Sequence, residues 1–299
     1  MAPPSFLVPD DFALLREEQR RAPAPAWIVK PLDGRQGAGI SLCRGSRLGT
    51  LREAPPGHRL LVQKYVGAPL TVCGRKFDLR LYLLITALAP VPSAWLCREG
   101  FARFSAEQYA EPFAAEGGGE EGADWRVVHL TNHAVQCEGP GGAPDGGWDL
   151  RWSLLSLRRH LQRTYGEAAT TALFADIEQR LVPAVVAAAR RILVPDARCF
   201  ELFGVDVMVD EALKPWLLEV NASPSLSSDA PDDLAMKARV VNGVLDALEL
   251  GDGLADAPDT VAGFVRVPAS CASGPAQARE PLLGTSPRYR RPAQSVPPC

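Results

Sequence analysis

The sequence predicts a mixed α/β (α+β) chain, and three observations carry that reading. Strand-like runs rich in apolar residues recur at Ala26 to Lys30, Leu60 to Val66, Phe77 to Leu88, Phe200 to Val209 and Lys214 to Val220. Apolar spacing turns helical between Leu150 and Val194, through Leu154, Leu155, Leu157, Leu161, Leu181, Val185, Val186 and Ile192. A glycine-containing loop, Pro31 to Gly39, joins two of the strands.

Taken in order, Asp10 and Asp11 stand as N-caps for a short helix ending at Arg21, where Pro23 and Pro25 stop it. The strand Ala26 to Lys30 leads into the loop, and Ile40 to Cys43 is its return strand. No helix is expected after the glycines, which separates this loop from the phosphate loops that end on a helix N-terminus. A phosphate grip here would be built on a β-hairpin. Glu116 to Asp124 and Glu138 to Gly147 read as exposed Gly-rich loops, and the helical stretch divides near Gly166. A turn at Asp210 to Leu213 joins the last two strands, and a helix over Pro231 to Leu248 closes the domain. Beyond Gly251 the chain is rich in Pro, Gly, Ala and Ser and reads as a disordered tail.

Composition narrows the function classes. The 299 residues have room for one large or two ordinary domains, and 46% hydrophobic with 22% charged residues is globular. Lys+Arg at 32 against Asp+Glu at 35 gives a net charge of −3, without the positive excess that non-specific nucleic-acid binding needs. The N-terminus has no basic segment followed by an apolar run, so a secretory signal is not expected and the cytosol is. The longest apolar stretch, Leu79 to Pro92, carries Arg80 and falls short of the roughly 20 residues of a membrane helix. Seven scattered cysteines without a CxxC read as reduced thiols. Lysine occurs only at 30, 64, 76, 214 and 237, so each surviving lysine marks a position where arginine's planar fork does not serve.

Three clusters carry candidate chemistry. Gly34, Gly37 and Gly39 let backbone approach a ligand beside the charge of Lys30; a plain hairpin turn explains them as well. Alternation along the strand puts Lys76, Asp78 and Arg80 on one face, where the bland alternative is a solvated, salt-bridged surface. Asp206 in one apolar strand, with Glu219 and Asn221 in the next, would share a face of a hairpin. Two carboxylates and an amide oxygen are hard donors suited to Mg2+.

Trp27-Ile-Val-Lys-Pro31, the loop through Gly39, Val62-Gln-Lys-Tyr65, Arg75-Lys-Phe-Asp-Leu-Arg-Leu-Tyr82, His129-Leu-Thr-Asn132 and Pro215-Trp-Leu-Leu-Glu-Val-Asn-Ala-Ser-Pro-Ser-Leu226 form an ordered set. This set resembles the tubulin–tyrosine-ligase-like family, over about Phe6 to Leu248. Within it, Gly147-Trp148, the CFELFG run and the last motif are most similar to the polyglutamylases that act as catalytic subunits. The resemblance implies an ATP-grasp fold, with two α/β subdomains sandwiching ATP. A shortened N-terminal and central subdomain would span 1–66, with a C-terminal subdomain carrying Mg2+ over 67–250 and the tail over 251–299. Only 26 residues precede Trp27, where the family places a further region with another basic nucleotide ligand. Either the sequence is truncated there, or a neighbouring chain or Arg16, Arg20 or Arg21 substitutes for it, or ATP is held weakly and the protein is not a working ligase.

Carried over by position, the resemblance implies that Lys30, with Gly37 and Gly39, binds ATP phosphates. Gln63, Lys64 and the backbone at Tyr65 and Val66 would line the adenine, and Lys76 and Asp78 would contact the nucleotide. Arg80 and Arg103 would face the γ-phosphate and the reacting carboxylate, near Thr131 and Asn132. Asp206, Glu219 and Asn221 would hold Mg2+. The implied reaction is ATP-dependent addition of free L-glutamate to glutamate side chains of acidic tubulin tails through an acyl phosphate, on cytoplasmic microtubules, cilia or basal bodies, with accessory subunits. Glycine or tyrosine as the added amino acid, a non-tubulin protein acceptor, and a noncatalytic microtubule or ciliary scaffold stay open. His129 and His133 read as structural or substrate-orienting, and His58 and His160 as surface residues. Arg75, Arg151, Arg158, Arg159 and Arg163, the last four on one expected helix, are candidates for a basic surface toward acidic tails.

Overall fold

The computed structural model describes residues 2–34, 37–53, 59–87, 93–113, 125–132, 135–136, 149–189, 199–228, 231–251, 260–267 and 283–285. The fold is mixed α+β with antiparallel sheets, in two compact units: Met1–Leu79, Ala102–Arg151 and Val207–Leu218 make the first, and Arg80–Phe101, Trp152–Asp206 and Glu219–Cys299 the second. These interleaved units differ from the contiguous division at residue 66.

The first unit contains a four-stranded sheet in the order β1-β4-β2-β3, from β1 (Ser5–Val8), β2 (Ala26–Pro31), β3 (Ser41–Arg44) and β4 (Leu60–Lys64). The expected strand, loop and return strand are present as β2 and β3, paired antiparallel with Trp27 opposite Cys43. Period two sorts their side chains. Trp27, Val29 and Val62 point to a core closed by Leu15 of helix α1 (Phe12–Arg21), and Ile28 lies opposite Gln63. The Trp27 indole N–H donates to Gln19 Oε1 at 2.9 Å, so the buried ring keeps a polar partner. Asp11 stands at the N-cap position but makes no side-chain cap; its Oδ2 accepts from the Leu7 N–H at 2.9 Å and ties the helix to β1.

An eight-stranded sheet runs β10-β9-β6-β7-β12-β11, with β5 added to β6 and β8 to β7. Its strands are β5 (Thr71–Val72), β6 (Arg75–Ala87), β7 (Ser93–Phe104), β8 (Arg151–Ser153), β9 (Glu201–Val209), β10 (Pro215–Ala222), β11 (Thr260–Val261) and β12 (Phe264–Val267). In the second unit, helix Pro231–Gly251 buries Met236, Val240, Val244 and Ala247 on Tyr82, Trp95 and Phe264. The helical stretch divides at Gly166 as expected, into Leu154–Tyr165 and Glu167–Asp176, with Gly166 at a φ of 86°. Ser153 Oγ caps the first by accepting from the Ser156 N–H at 3.1 Å.

Two expectations are corrected here. Within the stretch assigned to a disordered tail, 260–267 form an antiparallel hairpin on β7, and Phe264 and Leu283 are fully buried. Arg151 lies in a strand, and Arg158 is buried: its guanidinium donates to the Leu283 carbonyl at 2.6 Å and covers the Phe174 ring. Arg159 and Arg163 are exposed, so the basic surface reduces to those two on this helix. The loops at 116–124 and 138–147, Gly147-Trp148, His58 and His133 fall outside the described residues.

Candidate functional site

In the first unit Lys76 and Asp78 of β6 are buried, which removes the solvated-face reading for them. Asp78 takes both ends of the Arg103 guanidinium, Nε on Oδ1 at 2.7 Å and an Nη on Oδ2 at 2.6 Å. Thr131 Oγ1 donates to the same Oδ2 at 2.7 Å. Such a bidentate pair satisfies two buried charges with fixed geometry. Arg103 therefore reaches the cluster already neutralised by a partner.

Lys76 lies beside this pair, 6% exposed, donating to the His129 carbonyl at 2.7 Å and to the Tyr65 hydroxyl at 3.2 Å. Burial pulls its pKa down to about 8; Asp78 opposes the shift and the charge of Lys30 adds to it. Lys30 Nζ donates to Gln63 Oε1 at 3.1 Å, and Gln63 Nε2 to Ser5 Oγ at 3.0 Å. The structure thus gathers Lys30, Gln63, Tyr65, Lys76, Asp78, Arg103 and Thr131.

The glycine loop joins them at Gly37. Its φ is 87°, and a Cβ there would lie 3.4 Å from Asn132 Oδ1 and 3.0 Å from Val135. Gly39, at a φ of 71°, would bring a Cβ within 2.8 Å of Pro31. Any side chain at either position is strained, so the close approach of loop and Asn132 depends on glycine. Val66 is half-buried just beyond β4.

Lys64 departs from its expected place. Alternation turns it away from Gln63, and its Nζ donates to the Ala22 carbonyl at 3.1 Å, on the α1 side of the sheet. Two contributors were not legible in the sequence. Gln136, 3% exposed, accepts from the Ala106 N–H at 2.6 Å and donates to the Leu130 carbonyl at 2.5 Å, which pins the segment after His129. Tyr109 fixes its hydroxyl on the Gly67 carbonyl at 2.6 Å and stacks edge-on against His129.

In the second unit, Arg80 grips Asp206 bidentately, Nε on Oδ1 at 2.5 Å and an Nη on Oδ2 at 2.9 Å. Gly204 makes room for that arginine: a Cβ there would meet its Cδ at 3.2 Å and Pro224 at 2.9 Å. The expected turn forms in the first unit, with the Asp210 N–H on the Lys214 carbonyl at 3.0 Å. Glu219 is exposed on β10, an end strand of the sheet, and accepts from Asn221 Nδ2 at 3.0 Å. Among the described residues no three His, Cys, Asp or Glu side chains gather as a metal site. The set Asp206, Glu219 and Asn221 includes an amide oxygen, and its donor types fit Mg2+. The first unit fits a polyanion: burial and the nearby charge of Lys30 disfavour the Lys76 ammonium, and both of its described hydrogen-bond partners are uncharged oxygens.

Among the described residues Cys43, Cys73, Cys97 and Cys199 are free thiols. No described helix is long and apolar enough to cross a membrane.

A glycine loop on a β-hairpin and a buried lysine in the first unit, and acidic and amide side chains on the strands β9 and β10, define a class of mixed α+β proteins rather than a single activity. The chain belongs to the tubulin-tyrosine ligase family, which it matches over residues 1–253. A probable tubulin polyglutamylase of Caenorhabditis elegans is 36% identical over 271 residues, covering 88% of this chain and 61% of the relative. One from Bos taurus is 32% identical, covering 88% and 62%, and a probable alpha-tubulin polyglutamylase of Tetrahymena thermophila is 35% identical, covering 81% and 58%. The chain thus spans about three fifths of the length of these relatives.

Proposed function

We propose that this chain is an ATP- and Mg2+-dependent protein-glutamate ligase of ATP-grasp type, joining free L-glutamate to glutamate side chains in the acidic tails of tubulin. The observation that carries the reading is the buried Lys76, whose charge the nearby, half-buried Lys30 disfavours, in the same unit as a glycine loop: an anion such as a nucleoside triphosphate offsets that repulsion. The names of the relatives supply the acceptor class.

In this reading Lys30 and Lys76 bind phosphate oxygens, Gly37 and Gly39 admit the phosphate chain close to backbone, and Gln63, Tyr65 and Val66 line the base. Asp78 and Thr131 hold Arg103 in one orientation, and Asp206 does the same for Arg80, so both guanidiniums are pre-set to stabilise charge on the reacting groups. Asp206, Glu219 and Asn221 would hold Mg2+, which when bound offsets the charge of the transferring phosphoryl group. The acceptor carboxylate takes the γ-phosphoryl group, and the amine of free glutamate then displaces phosphate to form the amide. Binding, orientation and charge suffice for this chemistry, and no protein nucleophile is required. Accessory subunits and a microtubule or ciliary location belong to the same proposal.

The test is mass spectrometry of tubulin incubated with the chain, Mg-ATP and equimolar glutamate, glycine and tyrosine, with Glu219→Gln as control. Glutamate added by the parent chain alone supports the reading. Glycine or tyrosine addition replaces the amino acid, and no addition by either favours a noncatalytic scaffold. The scaffold reading has one observation of its own, that Arg80 and Arg103 are both already paired with aspartates.

A further inference from the structure

The Lys76 ammonium has three protons to donate. Two go to the His129 carbonyl and the Tyr65 hydroxyl, at 2.7 and 3.2 Å. Because that hydroxyl accepts from Lys76, its own proton must go elsewhere, and His129 Nδ1 lies 2.9 Å away. Tyr109, whose own proton is on the Gly67 carbonyl, is the other hydrogen-bond neighbour of Tyr65. The imidazole is fixed edge-on to Tyr65 at 5.6 Å and 90°, and it lies between Tyr109 and Trp125 at 5.8 and 6.4 Å. Burial and then the charge of Lys76 pull the His129 pKa down to about 4, so near neutral pH the ring is neutral, and its Nε2–H tautomer offers the Nδ1 lone pair to the Tyr65 hydroxyl.

We propose that Tyr65 and His129 are positioning residues for the nucleotide: a relay from Lys76 to Tyr65 to His129 Nδ1 aims the ammonium and leaves its third proton for a phosphate oxygen. The inference rests on the reading of Lys76 as a phosphate ligand. The side chain has long, flexible methylenes, and without the Tyr65 oxygen one of its two described anchors is gone. A buried ammonium with fewer acceptors also gives up its proton more readily. The ionisable groups around it are Lys30 from β2, Tyr65 beyond β4, Asp78 on its own strand with its partner Arg103 on β7, and Tyr109 and His129.

The experiment uses the full chain and its Tyr65→Phe, His129→Phe and His129→Gln variants. It measures Mg-ATP affinity by calorimetry and ATP kinetics of glutamate incorporation across pH 6 to 9 (about the range set by a Lys76 pKa near 8), with Tm recorded for each. Tyr65→Phe and His129→Phe are expected to weaken ATP binding and raise its KM about tenfold or more, with kcat changed less. They move the alkaline limb below its position in the parent chain. His129→Gln, whose side-chain oxygen can accept the Tyr65 proton, restores most of the loss. Variants that melt lower but keep parental ATP affinity and the same alkaline limb overturn the relay. A parent chain that binds no Mg-ATP overturns the ligase reading, and the relay with it.

Discussion

The polar cluster around Lys76 and the pair Glu219–Asn221 solve opposite problems. Around Lys76, charges are buried and each has several partners: Asp78 alone accepts from Arg103 twice and from Thr131. Glu219 is exposed on an end strand, where it accepts from the Asn221 amide at 3.0 Å. A buried polar network is costly unless every member is satisfied, so the first region is held by mutual dependence. The second is held by strand geometry, and solvent carries its charge. The difference predicts which substitutions unfold the protein and which only silence it.

The largest effect is expected where a buried charge loses its partner. Asp78→Ala removes the bidentate carboxylate partner of the buried Arg103 and should cost about 3–5 kcal/mol in denaturant unfolding. Arg80→Ala removes the bidentate guanidinium partner of Asp206, at 2% exposure, and belongs in the same range. A loss below about 1 kcal/mol, the scale of an exposed ion pair, would break the comparison at that site.

Next comes the pH dependence of Lys76. Below pH 8 the lysine is charged in both folded and unfolded chains, and its burial penalty is fully present. Between about 8 and 10.5 the unfolded chain keeps a proton that the folded chain has released, so unfolding free energy rises with pH. Relative to Lys76→Met, the parent chain should gain on the order of 3 kcal/mol across that window, at about 1.4 kcal/mol per pH unit. Cys97, pushed up to about 12 by burial, acts in the opposite direction, and the difference between the two chains cancels it. A flat difference would show that Lys76 is solvated.

The smallest effect is expected at the exposed pair. Glu219→Gln should change stability by less than about 1 kcal/mol while glutamate transfer is lost. A large loss of stability would sharpen the comparison differently, by making Glu219 part of the packed structure.

What the sequence made legible follows from the range of each interaction. β2, β9 and β10 were readable because their own alternation or apolar run defines them. β7 was not, since Arg98, Glu99 and Gly100 interrupt its pattern; the fold compensates with Glu99 bound bidentately by Arg239 and Arg98 N–H on the Gly263 carbonyl. The hairpin at 260–267 is too short to shift the composition of the stretch around it, and its burial comes from pairing to β7. In the site, alternation placed Lys76, Asp78 and Arg80 on one face of a strand. Their partners were hidden because Arg103 is 25 residues from Asp78 and Asp206 is 126 from Arg80, and only the sheet order sets those strands side by side. The misplacement of Lys64 has a local cause. A motif names consecutive residues together, whereas a strand sends Gln63 and Lys64 to opposite faces.

The central claim is that the acceptor carboxylate is activated by phosphoryl transfer, and labelled oxygen reports on that step. An acidic tail peptide whose glutamate carboxylates carry oxygen-18 is incubated with the chain, Mg-ATP and glutamate, and the released phosphate is analysed by mass spectrometry. The account predicts one oxygen-18 in the phosphate for each amide formed, because the attacking carboxylate oxygen leaves with phosphorus. Amide formation with unlabelled phosphate, or no amide at all, would contradict it.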